Sequence, residues 1–167
     1  MDDIDKSILQ CLKKNSRMNS SAIARKVSLS VTAVIDRIKK LESSGVIKQY
    51  TVVLNPEKLG KDITAYISVR LEHPKFNDSF VLKTGANSEI TECYYIAGDY
   101  DYLLKAVTAS SGTLENVLSY IKNIDGVSLT RTIVVLSTLK SDVSCSVNEA
   151  AAASVNIGTV SLRKPAR

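Results

Sequence analysis

The residue types with the most legible chemistry in this 167-residue sequence are Ser30, Thr32, Ala33, Asp36, Arg37, Lys39 and Lys40. Small and hydroxyl-bearing residues come first and long cations follow. All but Ser30 lie on the side of one helical stretch that points away from its apolar stripe. A narrow tip of this kind can approach base edges in a DNA groove, while Arg and Lys suit phosphates. A plain solvated helix face has the same composition. Little else could do chemistry. The single histidine, His73, precedes Pro74 in what reads as a loop, and no Ser/His/Asp set, Cys/His set, glycine-rich phosphate loop or convincing carboxylate pair accompanies it. Cys11, Cys93 and Cys145 are too far apart for a CxxC pair, so no structural metal, disulfide or cofactor is expected.

Charge distinguishes the stretch that carries these residues. Residues 1–50 hold ten Lys/Arg against five Asp/Glu, a net of +5, whereas residues 51–140 hold nine against ten and residues 141–167 three against two. The basic excess of the protein therefore sits in its first 50 residues, as expected when one module meets a polyanion. Mean hydropathy is +0.02 with 44% apolar residues, the balance of a folded globular protein. The sequence opens on Asp2, Asp3 and Asp5 rather than a charged and apolar leader, and no 18-residue apolar run follows; the reading is cytoplasmic, with no membrane partner.

Three helices must position the basic face. Asp2 is a cap for a helix over 3–14, with Ile4, Ile8 and Leu12 forming one stripe. Asn19 caps a short second helix ending near Val27, and Met18 and Ile23 have the spacing of a hydrophobic staple. Ser30 caps a third, with Leu29 and Val34 as its staple and Val34, Ile35, Ile38 and Leu41 as an inward apolar face. Gly45 fits a left-handed stop, with Val46 packing back on Leu41. Only about three residues separate the second and third helices, so they must cross steeply, and this is the helix-turn-helix arrangement.

Beyond Gly45, Val46 to Leu54 alternates as a strand until Asn55-Pro56 breaks it. A lone strand between two modules needs a partner, and a second copy of itself is the simplest, so it reads as a dimerisation arm. Strand-like runs then follow at 63–71, 90–97, 102–109 and 127–139, with helix-like runs near 76–84 and 113–124. The order βαββαβ predicts a ferredoxin-like unit with Gly98-Asp99-Tyr100-Asp101 as the tight turn between its middle strands. The fold class is thus α+β. A winged-type helix-turn-helix domain spans 1–45, a strand arm and linker 46–62, and a ferredoxin-like sensing and dimerisation domain 63–140. The tail, 141–167, is read as disordered apart from a helical turn around 148–153, with Arg163, Lys164 and Arg167 within reach of DNA as the lesser alternative.

These marks together resemble the Lrp/AsnC, or feast/famine, family of transcriptional regulators over about residues 2–140. The resemblance rests on Asp2-x-x-Asp5 before Ile8-Leu9, then Val27-x-Leu29-Ser30 running into Arg37-Ile38-x-x-Leu41-Glu42-x-x-Gly45-Val46-Ile47-x-x-Tyr50. In the second half it rests on Gly98 through Leu104 and on Gly126-Val127-x-x-Thr130-Arg131-Thr132. It implies a homodimer swapped through the 46–54 arm, often assembled into octamers on double-stranded DNA, and a small effector, usually an amino acid, bound between dimers. Gly98, Asp99, Tyr100, Asp101, Thr130 and Thr132 would line that pocket. Free backbone amides and carboxylates in a turn can meet both ends of a zwitterion, although aspartates and glycine are also ordinary turn residues.

The sequence departs from the family at Ser28, where glycine is usual and serine costs about 1 kcal/mol. It departs also in a short helix near 76–83 and in a longer tail after Lys140. Two competing functions are a siroheme-decarboxylase-like enzyme, which has similar modules but depends on histidines near its substrate, and a sensing scaffold whose head no longer binds DNA.

Overall fold

The computed structural model describes residues 1–147, which fall into two compact units dividing near Val53; the expectations for 148–167 lie outside the described residues. The first unit is built on α1 (Asp3–Lys14), α2 (Ser20–Val27) and α3 (Val31–Ser43). Each helix starts where its cap residue satisfies otherwise orphaned amides. Asp2 and Asp5 exchange bonds in a capping box, Asn19 accepts from the Ala22 amide and Ser30 from the Ala33 amide. The stripes meet in one core of Ile8, Ile23, Ala24, Val34 and Leu41, with Met18, Leu29, Ile38 and Ile47 packed around it.

Two expectations at α3 are corrected. Ile35 is not part of the inward face: it is 37% exposed, because it follows the buried Val34 by about 100° around the helix. Gly45, at φ 75°, ends the helix as expected, but Ile47 rather than Val46 folds back; its amide donates to the Leu41 carbonyl at 3.0 Å while Val46 stays half exposed.

The second unit contains β1 (Ile63–Leu71), α4 (Asn77–Gly85), β2 (Ile90–Tyr95), β3 (Tyr102–Thr108), α5 (Ser111–Lys122) and β4 (Val127–Val134). Its four-stranded antiparallel sheet runs β2-β3-β1-β4, the split arrangement that the order βαββαβ predicts. One face, with Ala65, Ile67, Val69, Tyr102, Leu104 and Ala106, is buried with Phe80 from α4 and Val117 and Ile121 from α5. The other face carries Tyr66, Ser68, Leu103, Lys105, Leu129 and Ile133, and Leu129 and Ile133 on it are about half exposed.

Two strand expectations are also corrected. The last strand stops at Val134 rather than Leu139: its final bond joins the Val135 amide to the Thr64 carbonyl, and Leu136 and Leu139 beyond it are almost fully exposed. Among the described residues, Val46–Leu54 forms no strand. Its side chains have the right alternation, but a ladder needs a second backbone, and within one chain this segment has none. Val52, Val53 and Leu54 stand exposed.

Candidate DNA-reading face and effector site

The turn between α2 and α3 is Ser28 and Leu29. Ser28 takes the left-handed conformation, φ 56°, and both its amide and that of Leu29 donate to the Ala24 carbonyl. A residue without glycine's freedom is strained there, yet the turn closes and α3 leaves it with Ser30 as cap.

On α3, Thr32, Asp36, Lys39 and Lys40 are exposed, whereas Ala33 and Arg37 are half-buried. Thr32, Asp36 and Lys39 lie within about 60° of one another on the outward side. Ser30 is committed to capping.

Arg37 bonds back to the first helix. Its Nη1 donates to Asp2 Oδ2 and to Asp5 Oδ1, both at 2.7 Å, so one guanidinium ties the middle of α3 to the start of α1. Both carboxyls are held below the ordinary carboxylate value, first by the reciprocal backbone bonds of the capping box and then by Arg37. Arg37 is raised in turn by its bonds to Asp5 and Asp2. The spacing Asp2-x-x-Asp5 with Arg37 is therefore a clamp between helices. Sequence reasoning does not find this clamp, because helical phase alone cannot show a contact between residues 32 and 35 positions apart. It also passes over Arg25 and Lys26, exposed cations in the last turn of α2 beside the turn that delivers α3; their position next to the cap is the available signal.

The exit from the head is fixed at Tyr50. Its hydroxyl donates to Glu42 Oε1 at 2.9 Å, and burial together with that bond pushes its pKa up to about 12. The tyrosine thus stays neutral and keeps the start of the arm against α3.

In the second unit the turn 98–101 is joined to β1. The Asp101 amide donates to the Val69 carbonyl, Asp101 Oδ2 accepts from the Leu71 amide at 2.7 Å, and Arg70, which sequence reasoning misses, donates to the Asp99 carbonyl with its guanidinium 5.7 Å from the centre of the Tyr100 ring. The Asp101 carboxylate thus holds the point where β1 and β4 slip register, between Arg70 and Leu71. Gly98 has φ 135°, a conformation that requires glycine.

Thr130 and Thr132 pair with Val69 and Ile67 on the other side of β1. They are separated from the turn by two strand spacings, about 10 Å. Thr130 borders an open cavity of about 300 Å³ with Lys122, Val127, Ser128 and Leu129. The six residues expected at an effector site therefore form two groups flanking β1 within one chain. His73 makes no such site: it is exposed, and its Nδ1 accepts from the Lys75 amide at the start of a short helical turn. Among the described residues, no cluster of His, Cys, Asp and Glu suits a metal ion, and no helix is long and apolar enough to cross a membrane.

Comparison with known proteins matches both units. Residues 1–48 match the family described as winged helix-turn-helix DNA-binding, and residues 64–144 match the Lrp/AsnC ligand binding domain. The chain is 38% identical over 140 residues to the HTH-type transcriptional regulator FL11 of Pyrococcus furiosus, covering 84% of this chain and 92% of that protein. It is 35% identical to the leucine-responsive regulatory protein of Haemophilus influenzae, covering 84% and 86%. Among solved structures, a transcriptional regulator of Neisseria meningitidis in complex with L-Met superposes with a TM-score of 0.84 at 28% identity, covering 89% of this chain and 97% of that one. The feast or famine regulatory protein of Mycobacterium tuberculosis complexed with L-methionine gives 0.80 at 32%, covering 87% and 98%. With a helix-turn-helix head and a ligand-binding second unit matched over nearly their whole lengths, this chain belongs to the Lrp/AsnC family of transcriptional regulators and is not an enzyme.

Proposed function

We propose that the protein is a sequence-specific, cytoplasmic DNA-binding regulator that acts as a homodimer or larger assembly, up to an octamer, and responds to an amino-acid effector. The observation that carries the first part is the outward face of α3. Thr32 and Asp36, in its first two turns, stand where a helix-turn-helix brings side chains to base edges, and Lys39 and Lys40 follow at phosphate reach. The Asp36 carboxylate is repelled by phosphates but can accept from a cytosine amino group, so its presence there favours reading over non-specific attachment. Ala33 supports the same face from its edge. Ser30 and Arg37 serve it indirectly, one by capping α3 and the other by clamping it to α1.

Two features support self-association. The 46–54 arm has the side-chain alternation of a strand and no partner strand within the chain, and the open sheet face exposes Leu129, Ile133 and Tyr94. For the effector, the relatives complexed with L-methionine supply the class. Gly98, Asp99, Tyr100 and Asp101 on one side of β1, and Thr130 and Thr132 on the other, would each contribute one wall, with a neighbouring copy completing the pocket.

The deciding test is a gel-shift titration against the protein's own upstream DNA and random DNA at two salt concentrations, with and without pooled amino acids. Preferential, salt-sensitive binding altered by the pool is expected. Failure to bind any duplex would reduce the head to a scaffold, and indifference to the pool would remove the effector.

A further inference from the structure

The reading face of α3 has an apolar edge that core packing does not explain. Val31 and Ile35 lie one turn apart and are 41% and 37% exposed, while Val34 and Leu41 of the same helix are 0% and 4% exposed. Neither is required by local structure. Exposed β-branched residues are poorer helix formers than Ala, Lys or Gln, so a stable solvated face would not select two of them side by side. Their position is equally specific. They occupy the first two turns of the second helix of the motif, next to Thr32 and Asp36 on the outward face, and the row they begin continues to the exposed Lys39.

Among the groups that base edges present in the major groove, the one that an aliphatic side chain can bind without leaving a donor or acceptor unpaired is the C5 methyl of thymine. Building on the DNA-reading function proposed above, we infer that Val31 and Ile35 form a thymine-reading edge, which takes the C5 methyl groups of each operator half-site. Four helical residues rise about 6 Å, and base pairs are about 3.4 Å apart. The two side chains therefore address thymines within about two base-pair steps, while Asp36 and Thr32 read the polar edges beside them. Burying such a methyl group against Ile35 contributes the worth of about one methylene, or roughly three- to fivefold in affinity per half-site.

The test begins by selecting a preferred duplex from a randomised pool with the full-length protein, then replacing each thymine of the half-site singly with deoxyuridine, which lacks only the methyl. One or two positions should lose roughly three- to fivefold. Ile35→Ala, at an exposed position where alanine favours the helix, should keep its circular dichroism, lose a similar factor on the thymine duplex and show little further loss on the deoxyuridine duplex. Binding that is indifferent to every such replacement, or an I35A variant that retains the full deoxyuridine penalty, overturns the thymine contact while leaving DNA reading intact. Failure of the wild-type protein to bind any duplex overturns both.

Discussion

Arg37 shows how a surface cation can be structural. Its two 2.7 Å bonds join α3 to the acidic cap of α1, so Arg37→Ala should lower the melting temperature of the protein rather than flatten the salt dependence of DNA binding. The pH dependence has a definite sign. Asp2 and Asp5 have folded values below the ordinary 3.8, so their stabilisation is fully present above that value and is lost as pH falls through the lowered ones. The difference in melting temperature between wild type and R37A should accordingly be constant well above pH 3.8 and shrink as pH falls below it; a difference independent of pH would show that the ion pairs contribute little. At Ser28, glycine would relieve the left-handed strain of φ 56°. Ser28→Gly should stabilise by about 0.5–1 kcal/mol, after the entropy cost of glycine, in denaturant titrations.

At the scale of elements, a salt response is expected from Lys39 and Lys40 of α3. Lys39→Ala and Lys40→Ala should each weaken binding to specific and random DNA alike and reduce the slope of log K against log salt by about 0.9 for each phosphate that the lysine neutralises. An unchanged slope would remove the lysine from the interface. In the second unit, the approach of α5 to β4 depends on Gly126, whose φ is 85° and whose missing Cβ would lie 2.2 Å from the Phe76 ring. Gly126→Ala should cost about 2–4 kcal/mol, through strain at positive φ added to overpacking. A smaller effect would mean that the segment 74–76 moves aside cheaply. The backbone bond from the Glu72 amide to the Gly126 carbonyl argues that it does not.

For the whole molecule, the proposed function turns on a second copy. If the arm 46–54 pairs with its counterpart, replacing consecutive residues by proline must remove at least one ladder amide, since successive amides point to opposite edges. Val52→Pro or Val53→Pro, or both, should therefore shift the sedimentation equilibrium towards monomer and lower operator affinity, with the melting behaviour of each unit retained. Dimers of unchanged strength in both variants would assign self-association to the open sheet face. In that case Ile133→Arg is the variant that should dissociate them.

Much of this protein is legible in its sequence. Caps at Asp2, Asn19 and Ser30, stripes of period 3.6, the αL stop at Gly45 and strands of period 2 are local signals, and, the 46–54 arm apart, each element they mark begins or ends within a few residues of expectation. Their order, and the short turn after Val27, are enough to yield the helix-turn-helix and the βαββαβ unit. What sequence leaves undecided are relations between residues far apart. Arg37 meeting Asp2 and Asp5, Asp101 holding the Leu71 amide, Arg70 crossing to the Asp99 carbonyl and Phe76 lying over Gly126 all depend on how helices and strands pack. Side-chain periodicity gives the angle of a residue on its own element but not what stands opposite it. For that reason Ile35 reads as core and Arg37 as a free outward cation, whereas packing leaves Ile35 37% exposed and ties Arg37 to Asp2 and Asp5.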